Sequence, residues 1–397
     1  MEDVVIIGAG IVGLATAKAI LDQRPGSRVT VLEKADDVAS GQTSHNSGVI
    51  HAGLYYAPGS LKARLCRAGE AATKRYCDEH GISYQVVGKL VVATNPVEVE
   101  RMHALEGRAA SNGIELRRVD GSELREMEPN VEGTEALLSP ATGIVDYREV
   151  CRALASDVKA AGGQVITRAQ VRSIDERSGA VHVEADCGTI TARTLVACAG
   201  LQADRVARMG GLEVDFRIVP FRGEYYQLPA DRRGIVERLI YPVPDPALPF
   251  LGVHLTPMID GRVTVGPNAV LGLAREGYPK GSINLRDVAS LATFSGLWKF
   301  APGYVGTGLT EMRNSLSKRG YLELVRKYCP SLTVADLLPY PAGIRAQAIG
   351  RDGTSIEDFL LRDSRRQLHV CNAPSPAATS ALPIGETLAE QVLGKLD

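Results

Sequence analysis

Apolar residues run unbroken through Val4-Val5-Ile6-Ile7, give way to Gly8-Ala9-Gly10-Ile11-Val12-Gly13, and resume in the small-residue stretch Leu14 to Leu21. A short apolar run bounded by glycine predicts a buried strand, and the stretch after the turn predicts a helix. A second apolar strand, Val29-Thr30-Val31-Leu32, follows and ends in Glu33. Strand, glycine turn, helix, strand and acid make the dinucleotide-binding pattern. Gly8 makes the tight turn, Gly10 lets backbone approach a pyrophosphate, and Gly13 lets the helix pack closely on the strand. The N–H groups at Ile11 and Val12 and the positive end of the helix dipole face the phosphates. Glu33, with Lys34 beside it, accepts from ribose hydroxyls.

Further along, a polar loop from Ser40 to Gly48 leads into Val49-Ile50-His51-Ala52-Gly53-Leu54-Tyr55-Tyr56, placed where such a sheet meets its ligand. Apolar positions at Leu61, Leu65, Ala68, Ala72 and Tyr76 predict a helix over 60–80, closed by Gly81. Short strands are predicted at 86–87 and 90–93, and an amphipathic helix over 96–112. The opening theme returns after Val145, with a helix over 148–161, strands near 165, 181 and 189, and the apolar run Thr194 to Cys198 ending in Ala199-Gly200. Val171, Ala199 and Gly200 are expected to bring backbone to the nucleotide a second time. From Val214 to Val265 aromatic and β-branched runs at 217–228, 235–241, 250–255 and 262–265 predict an antiparallel sheet. Helices are predicted over 285–301 and 318–328, and the strand 368–372 leads through a small-residue loop to a helix over 384–393.

The expected fold is therefore α/β plus an antiparallel sheet. A discontinuous Rossmann-like domain takes 1–82, 145–212 and 338–397, and a mainly antiparallel β domain takes 83–144 and 213–337. Its 397 residues suit two domains. Net charge is −1 with basic and acidic residues interspersed, so no nucleic-acid partner is expected and any pull on an anionic substrate is local. The apolar stretch Val4 to Leu21 imitates a signal or membrane span, but it begins with Glu2 and Asp3 and is broken by three glycines and Lys18. No transmembrane segment is expected. Seven scattered cysteines without a Cys-x-x-Cys pair indicate reduced thiols, a cytoplasmic location and no metal site.

Five further stretches carry a resemblance: Asn46 to Tyr56, Phe221 to Tyr226, Phe250 to His254, Gly343 to Gln347, and Ser375 to Ser380. With them the chain resembles the FAD-dependent D-amino-acid-oxidase-like superfamily and, within it, the L-2-hydroxyglutarate oxidases and dehydrogenases. The resemblance implies FAD between two domains, the mainly antiparallel β one being the substrate domain, and oxidation of L-2-hydroxyglutarate to 2-oxoglutarate by hydride transfer from C2 to flavin N5. Electrons then pass to dioxygen or to a quinone of the electron-transport chain, the latter consistent with peripheral docking on the inner face of the cytoplasmic membrane. Other superfamily enzymes acting on an amino acid, a secondary amine or another 2-hydroxy acid form the nearest alternative, and a flavin-binding redox sensor is the non-enzyme reading.

Such chemistry needs a proton acceptor and cations for two carboxylates. His51 and His254 compete as the base, since imidazole titrates near neutral pH. The resemblance implies that Arg345 is a carboxylate clamp, since its position is similar to that of a carboxylate-binding arginine in the related amino-acid oxidases and its planar fork suits bidentate pairing, although Ala346 stands where those oxidases usually carry proline. Arg222, Tyr241, Lys299 and Arg64 are candidates for the distal carboxylate, His254 and Tyr56 for lining the substrate site. Thr43, Ser44, His45, Asn46, Ser47 and Gly48 are expected along the cofactor, and Ser375, Ala377, Ala378 and Thr379 near its pyrimidine, where backbone donors and a helix dipole stabilise an anionic reduced flavin.

Overall fold

The computed structural model describes residues 1–245, 252–303, 313–315 and 317–396. Two large sheets organise them. In the eight-stranded sheet the central strands Gln164–Ile166, Val29–Leu32, Glu2–Ile7 and Gly188–Ala197 run parallel, and Gln367–Asn372 joins the far half of Gly188–Ala197. Parallel strands covered on both faces need continuous apolar runs. Val4 and Ile6 accordingly pack under the helices Ile11–Gln23, Tyr147–Ala160 and Ala381–Leu396, while Val5 and Ile7 pack with Val181, Leu195 and Val206 on the other face.

The nine-stranded sheet runs Val270–Leu271, Phe216–Gln227, Val263–Gly266, His254–Pro257, Leu239–Pro242, Lys89–Ala93, Glu135–Ser139, Arg117–Asp120. It is antiparallel except where Leu239–Pro242 lies parallel to Lys89–Ala93. The ninth strand, Leu338–Gly350, pairs antiparallel along Phe216–Gln227, with Phe221 opposite Arg345. A three-stranded sheet of Val49–Ile50, Gly143–Val145 and Tyr84–Gln85 bridges between them.

Several expected elements differ. The helix over 285–301 is two, Leu285–Ala292 and Ser295–Phe300, separated by Thr293 and an extended Phe294 whose ring is buried. The strand expected at 86–87 lies at Tyr84–Gln85, and that expected from 235 begins at Leu239. Of the strand expected over 250–255, Phe250 and Leu251 lie outside the described residues and the rest starts at His254. Residues 338–350, expected within the nucleotide-binding domain, make their ladder with the nine-stranded sheet. Pro339 and Pro341 disguise this strand, and are accommodated because it sits at a sheet edge.

The helix Leu61–His80 begins where Ser60 accepts from the Ala63 N–H and ends at Gly81 in left-handed conformation. It carries Gly69 against the backbone of Thr379 and Ser380. The first helix and the last are packed as closely, with Gly385 against the backbone of Ala15.

Candidate active site

Gly8 has φ of +101°, and a Cβ there would stand 2.5 Å from the Cys198 carbonyl oxygen; a Cβ on Gly13 would stand 2.0 Å from the Gly8 carbonyl oxygen. Only glycine lets the turn, the helix and the end of the strand Gly188–Ala197 close up in this way. The Ile11 N–H donates to Thr43 Oγ1 (3.2 Å), and Glu33 is fixed by the Ala9 N–H (2.9 Å) and the Ala35 N–H (3.0 Å). From this turn a cavity of about 730 Å³ runs between the two large sheets.

Of the residues expected along the cofactor, Gly8, Gly10, Ile11, Val12, Gly13, Glu33, Lys34, Thr43, His45, Asn46, Ser47, Val171, Ala199, Gly200, Ser375, Ala377, Ala378 and Thr379 line the cavity. Ser44 and Gly48 do not. Ser44 accompanies His45 Nδ1 (2.9 Å), and a Cβ on Gly48 would stand 2.7 Å from the Val145 carbonyl oxygen. His45 stacks on Tyr278, ring centroids 3.7 Å apart, joining the loop to the segment that follows Val270–Leu271. An adenine dinucleotide of flavin suits this enclosure: bare glycine backbone and a helix N-terminus for the phosphates, a fixed carboxylate for ribose, and a long half-apolar space beyond. Cys198 lines it too, but burial pushes its thiol up to about 12, so it acts as packing.

At the far end stand His51, Tyr147, Tyr225, Tyr241, His254 and Arg345. The Thr379 hydroxyl accepts from the His51 N–H (3.1 Å), lies 3.0 Å from the Tyr147 hydroxyl, and donates to the Val49 carbonyl (3.2 Å). Tyr241 and His254 lie face to face, centroids 3.9 Å apart and planes 8° from parallel, and His254 Nδ1 is 2.9 Å from Thr256 Oγ1. Burial first, and the Lys89 charge second, hold both imidazoles below their ordinary range, His254 down to about 3. Further lowering at His51 comes from His254, Arg345 and Lys62. Two neutral imidazoles and the Arg345 guanidinium therefore share one chamber, with Lys62 and Lys89 set behind its wall. Arg345 opens on the cavity although protein surrounds it, and that burial lowers its pKa against the opposing influence of Tyr225 and Tyr56.

Arg222 does not reach this chamber. On its strand Phe221, Gly223 and Tyr225 face the cavity, so the alternation turns Arg222 to the opposite face, 3.9 Å from Glu224. Tyr56 is set back from the cavity wall beneath Lys62, whose Nζ lies 4.7 Å from the ring centroid. Lys299 and Arg64 are exposed elsewhere. Sequence reasoning passed over Lys62 and Lys89. Lys62 is the second residue of a helix that follows the loop, whereas Lys89 precedes the strand expected at 90–93 and nothing in the local sequence marks it as fully buried.

A family model described as FAD dependent oxidoreductase matches residues 3–391. The chain is 52% identical over 393 residues to the L-2-hydroxyglutarate dehydrogenase of Escherichia coli K12, covering 99% of this chain and 93% of that protein. It is 43% identical over 408 residues to the mitochondrial L-2-hydroxyglutarate dehydrogenase of Homo sapiens, covering 98% and 88%. Among solved structures, the FAD-bound L-α-glycerophosphate oxidase of Mycoplasma pneumoniae superposes with a TM-score of 0.79 at 22% identity, covering 100% of this chain and 94% of that one. Glycine oxidase of Geobacillus kaustophilus follows at 0.74 and 18%, covering 99% and 95%. These two likenesses show a shared fold. By its glycine turn, its two-sheet architecture and its full-length identity, the chain belongs to the FAD-dependent oxidoreductases and, among them, to the family of the L-2-hydroxyglutarate dehydrogenases.

Proposed function

We propose that this protein oxidises L-2-hydroxyglutarate to 2-oxoglutarate. The observation that carries the reading is the pairing of two neutral imidazoles, His254 buried and His51 half-buried, with the Arg345 guanidinium at the far end of a dinucleotide cavity. FAD, when bound, supplies the acceptor for the hydride lost from the substrate carbon. Arg345 holds the C1 carboxylate through a bidentate fork. His51 or His254 takes the hydroxyl proton; on His254, Nδ1 is engaged with Thr256, which leaves Nε2 for that task. Tyr241, Tyr225 and Tyr147 enclose the chamber and exclude water. The C5 carboxylate meets the positive field of Lys62 and Lys89 in place of Arg222.

The backbone and side chains of Ser375 to Thr379 and the N-terminus of Ala381–Leu396 supply donors at the flavin pyrimidine. The relatives are named dehydrogenases, which supports an acceptor other than dioxygen, such as a membrane quinone. On this reading the protein works in the cytoplasm, at the membrane face when it meets the quinone. Among the described residues no helix is long and apolar enough to cross a membrane.

The test is anaerobic addition of L-2-hydroxyglutarate to the FAD-loaded protein, with D-2-hydroxyglutarate, L-lactate, glycine and glycerol 3-phosphate in parallel. Bleaching of the flavin by the L-hydroxy diacid alone is expected; bleaching by glycine or glycerol 3-phosphate in its place would end the proposal. Air then separates the acceptors, since rapid reoxidation marks an oxidase.

A further inference from the structure

Lys89 begins the strand Lys89–Ala93 at the centre of the substrate sheet, where it is 0% exposed and its Nζ has no hydrogen-bond partner. The ammonium lies 4.7 Å from the Tyr55 ring centroid and 5.1 Å from that of Tyr241, on whose ring His254 is stacked. Around the chamber stand Cys66 and Lys62 from the helix Leu61–His80, Tyr55, Tyr56 and His51 from the loop before it, Tyr241 and His254 from neighbouring strands, and Arg345 from Leu338–Gly350. Among the described residues, the acidic group whose charge bears on Lys89 is the Cys66 thiol, which burial pushes up to about 12 and so keeps neutral. Two aromatic faces flank the cation and partly offset its desolvation.

An unpaired buried charge costs stability, and an apolar side chain of similar length removes that cost. Lys89 does not line the cavity, so it is not placed to grip substrate directly. Its charge acts through space on what does. We propose that Lys89 is a positioning residue: its unpaired ammonium, set behind the Tyr241–His254 stack, biases the chamber toward dianionic substrates and toward proton-free imidazoles. This rests on the reading of the chamber as a hydroxy-acid site. Burial lowers Lys89 itself to about 8, so the bias is present at neutral pH and fades as pH rises through that value.

The test uses FAD-loaded wild type, Lys89→Met and Lys89→Arg. Three quantities are measured: melting temperature, calorimetric affinity for glutarate and butyrate from pH 6 to 9, and the pH profile of flavin reduction by L-2-hydroxyglutarate. Lys89→Met is expected to melt at or above wild type and to bind glutarate about tenfold more weakly at pH 7, with butyrate far less affected. The acid limb of its reduction profile moves to higher pH, and Lys89→Arg returns both properties toward wild type. Wild-type glutarate affinity falls above pH 8, and that of Lys89→Met does not.

A lowered melting temperature with unchanged glutarate affinity and an unmoved acid limb would make Lys89 a packing residue and overturn the proposal. If Lys89→Met does not retain FAD, Lys89→Gln replaces it, and a wild-type glutarate affinity that stays flat across pH 8 overturns the proposal without any variant. Failure of wild type to be bleached or to bind glutarate overturns the functional reading, and this inference with it; failure confined to the variants leaves that reading standing.

Discussion

The backbone N–H of His51 donates to the hydroxyl of Thr379 at 3.1 Å, tying the loop that carries a candidate base to the loop that opens the helix Ala381–Leu396. The same hydroxyl serves Tyr147 and Val49, so one small side chain sets the position of His51 against the cavity-lining loop of Ser375 to Thr379. Thr379→Val keeps the volume and removes these bonds. It is expected to lower stability by about 2 kcal/mol and to slow flavin reduction roughly tenfold with FAD retained. Thermal unfolding and stopped-flow reduction check the two effects, and an unchanged reduction rate would remove Thr379 from the positioning of His51.

Gly8→Ala places a methyl against the Cys198 carbonyl at a backbone conformation that favours glycine. The variant is expected to purify with little or no FAD, read as the ratio of flavin to protein absorbance. Normal flavin content would show that the turn is free to move away from the strand carrying Cys198.

Arg345→Ala is expected to raise the substrate KM by about tenfold to a hundredfold while FAD stays bound, as fits the loss of a charge-assisted bidentate pair. Arg345→Lys recovers only part of this, because a point charge does not reproduce the fork. Steady-state kinetics with measured flavin content distinguish the outcomes; full recovery in the lysine variant would show that charge alone is used.

The depressed histidines fix the sign of two pH effects. With a folded value of about 3 against an ordinary value of about 6.5, His254 stays neutral while the unfolded chain takes up a proton. Its contribution is therefore absent above pH 6.5 and destabilises the fold progressively as pH falls from there toward 3. His369, lowered to about 4 chiefly by burial, adds to the same slope. Melting temperature is expected to fall with acid across this range and less steeply in His254→Gln. Reduction of the flavin is expected to show no limb at 6.5, since a neutral base persists below that pH. A rate profile with a limb at 6.5 would identify a solvent-exposed base instead.

Local pattern made the nucleotide-binding half readable. Gly8, Gly10, Gly13 and Glu33 sit at fixed spacings within short contiguous elements, so their roles follow from sequence neighbours alone. Residues whose roles depend on partners distant in the chain were less visible. Arg222 belongs to a motif that borders the site, but strand alternation sends its side chain away while Phe221 and Tyr225 face inward. The environment of Lys89 is made by Tyr241, on a parallel neighbour strand, and by Tyr55, on a loop; neither leaves a mark on the sequence around Lys89. Pro339, Pro341 and Gly343 concealed a strand, because the edge position that makes prolines harmless is set by the sheet and not by the segment.

The contact of Gly385 with the backbone of Ala15 brings the last helix against the first. The cavity's wall, correspondingly, is assembled from residues as far apart as Ile7 and Thr379. No short fragment of the chain encloses it, so the cofactor reports on completed topology: FAD is retained only once segments nearly a chain length apart have met. Ligand that binds the finished fold alone raises its stability by mass action. The supply of FAD, rather than any single contact, therefore becomes a determinant of how much of this protein survives proteolysis.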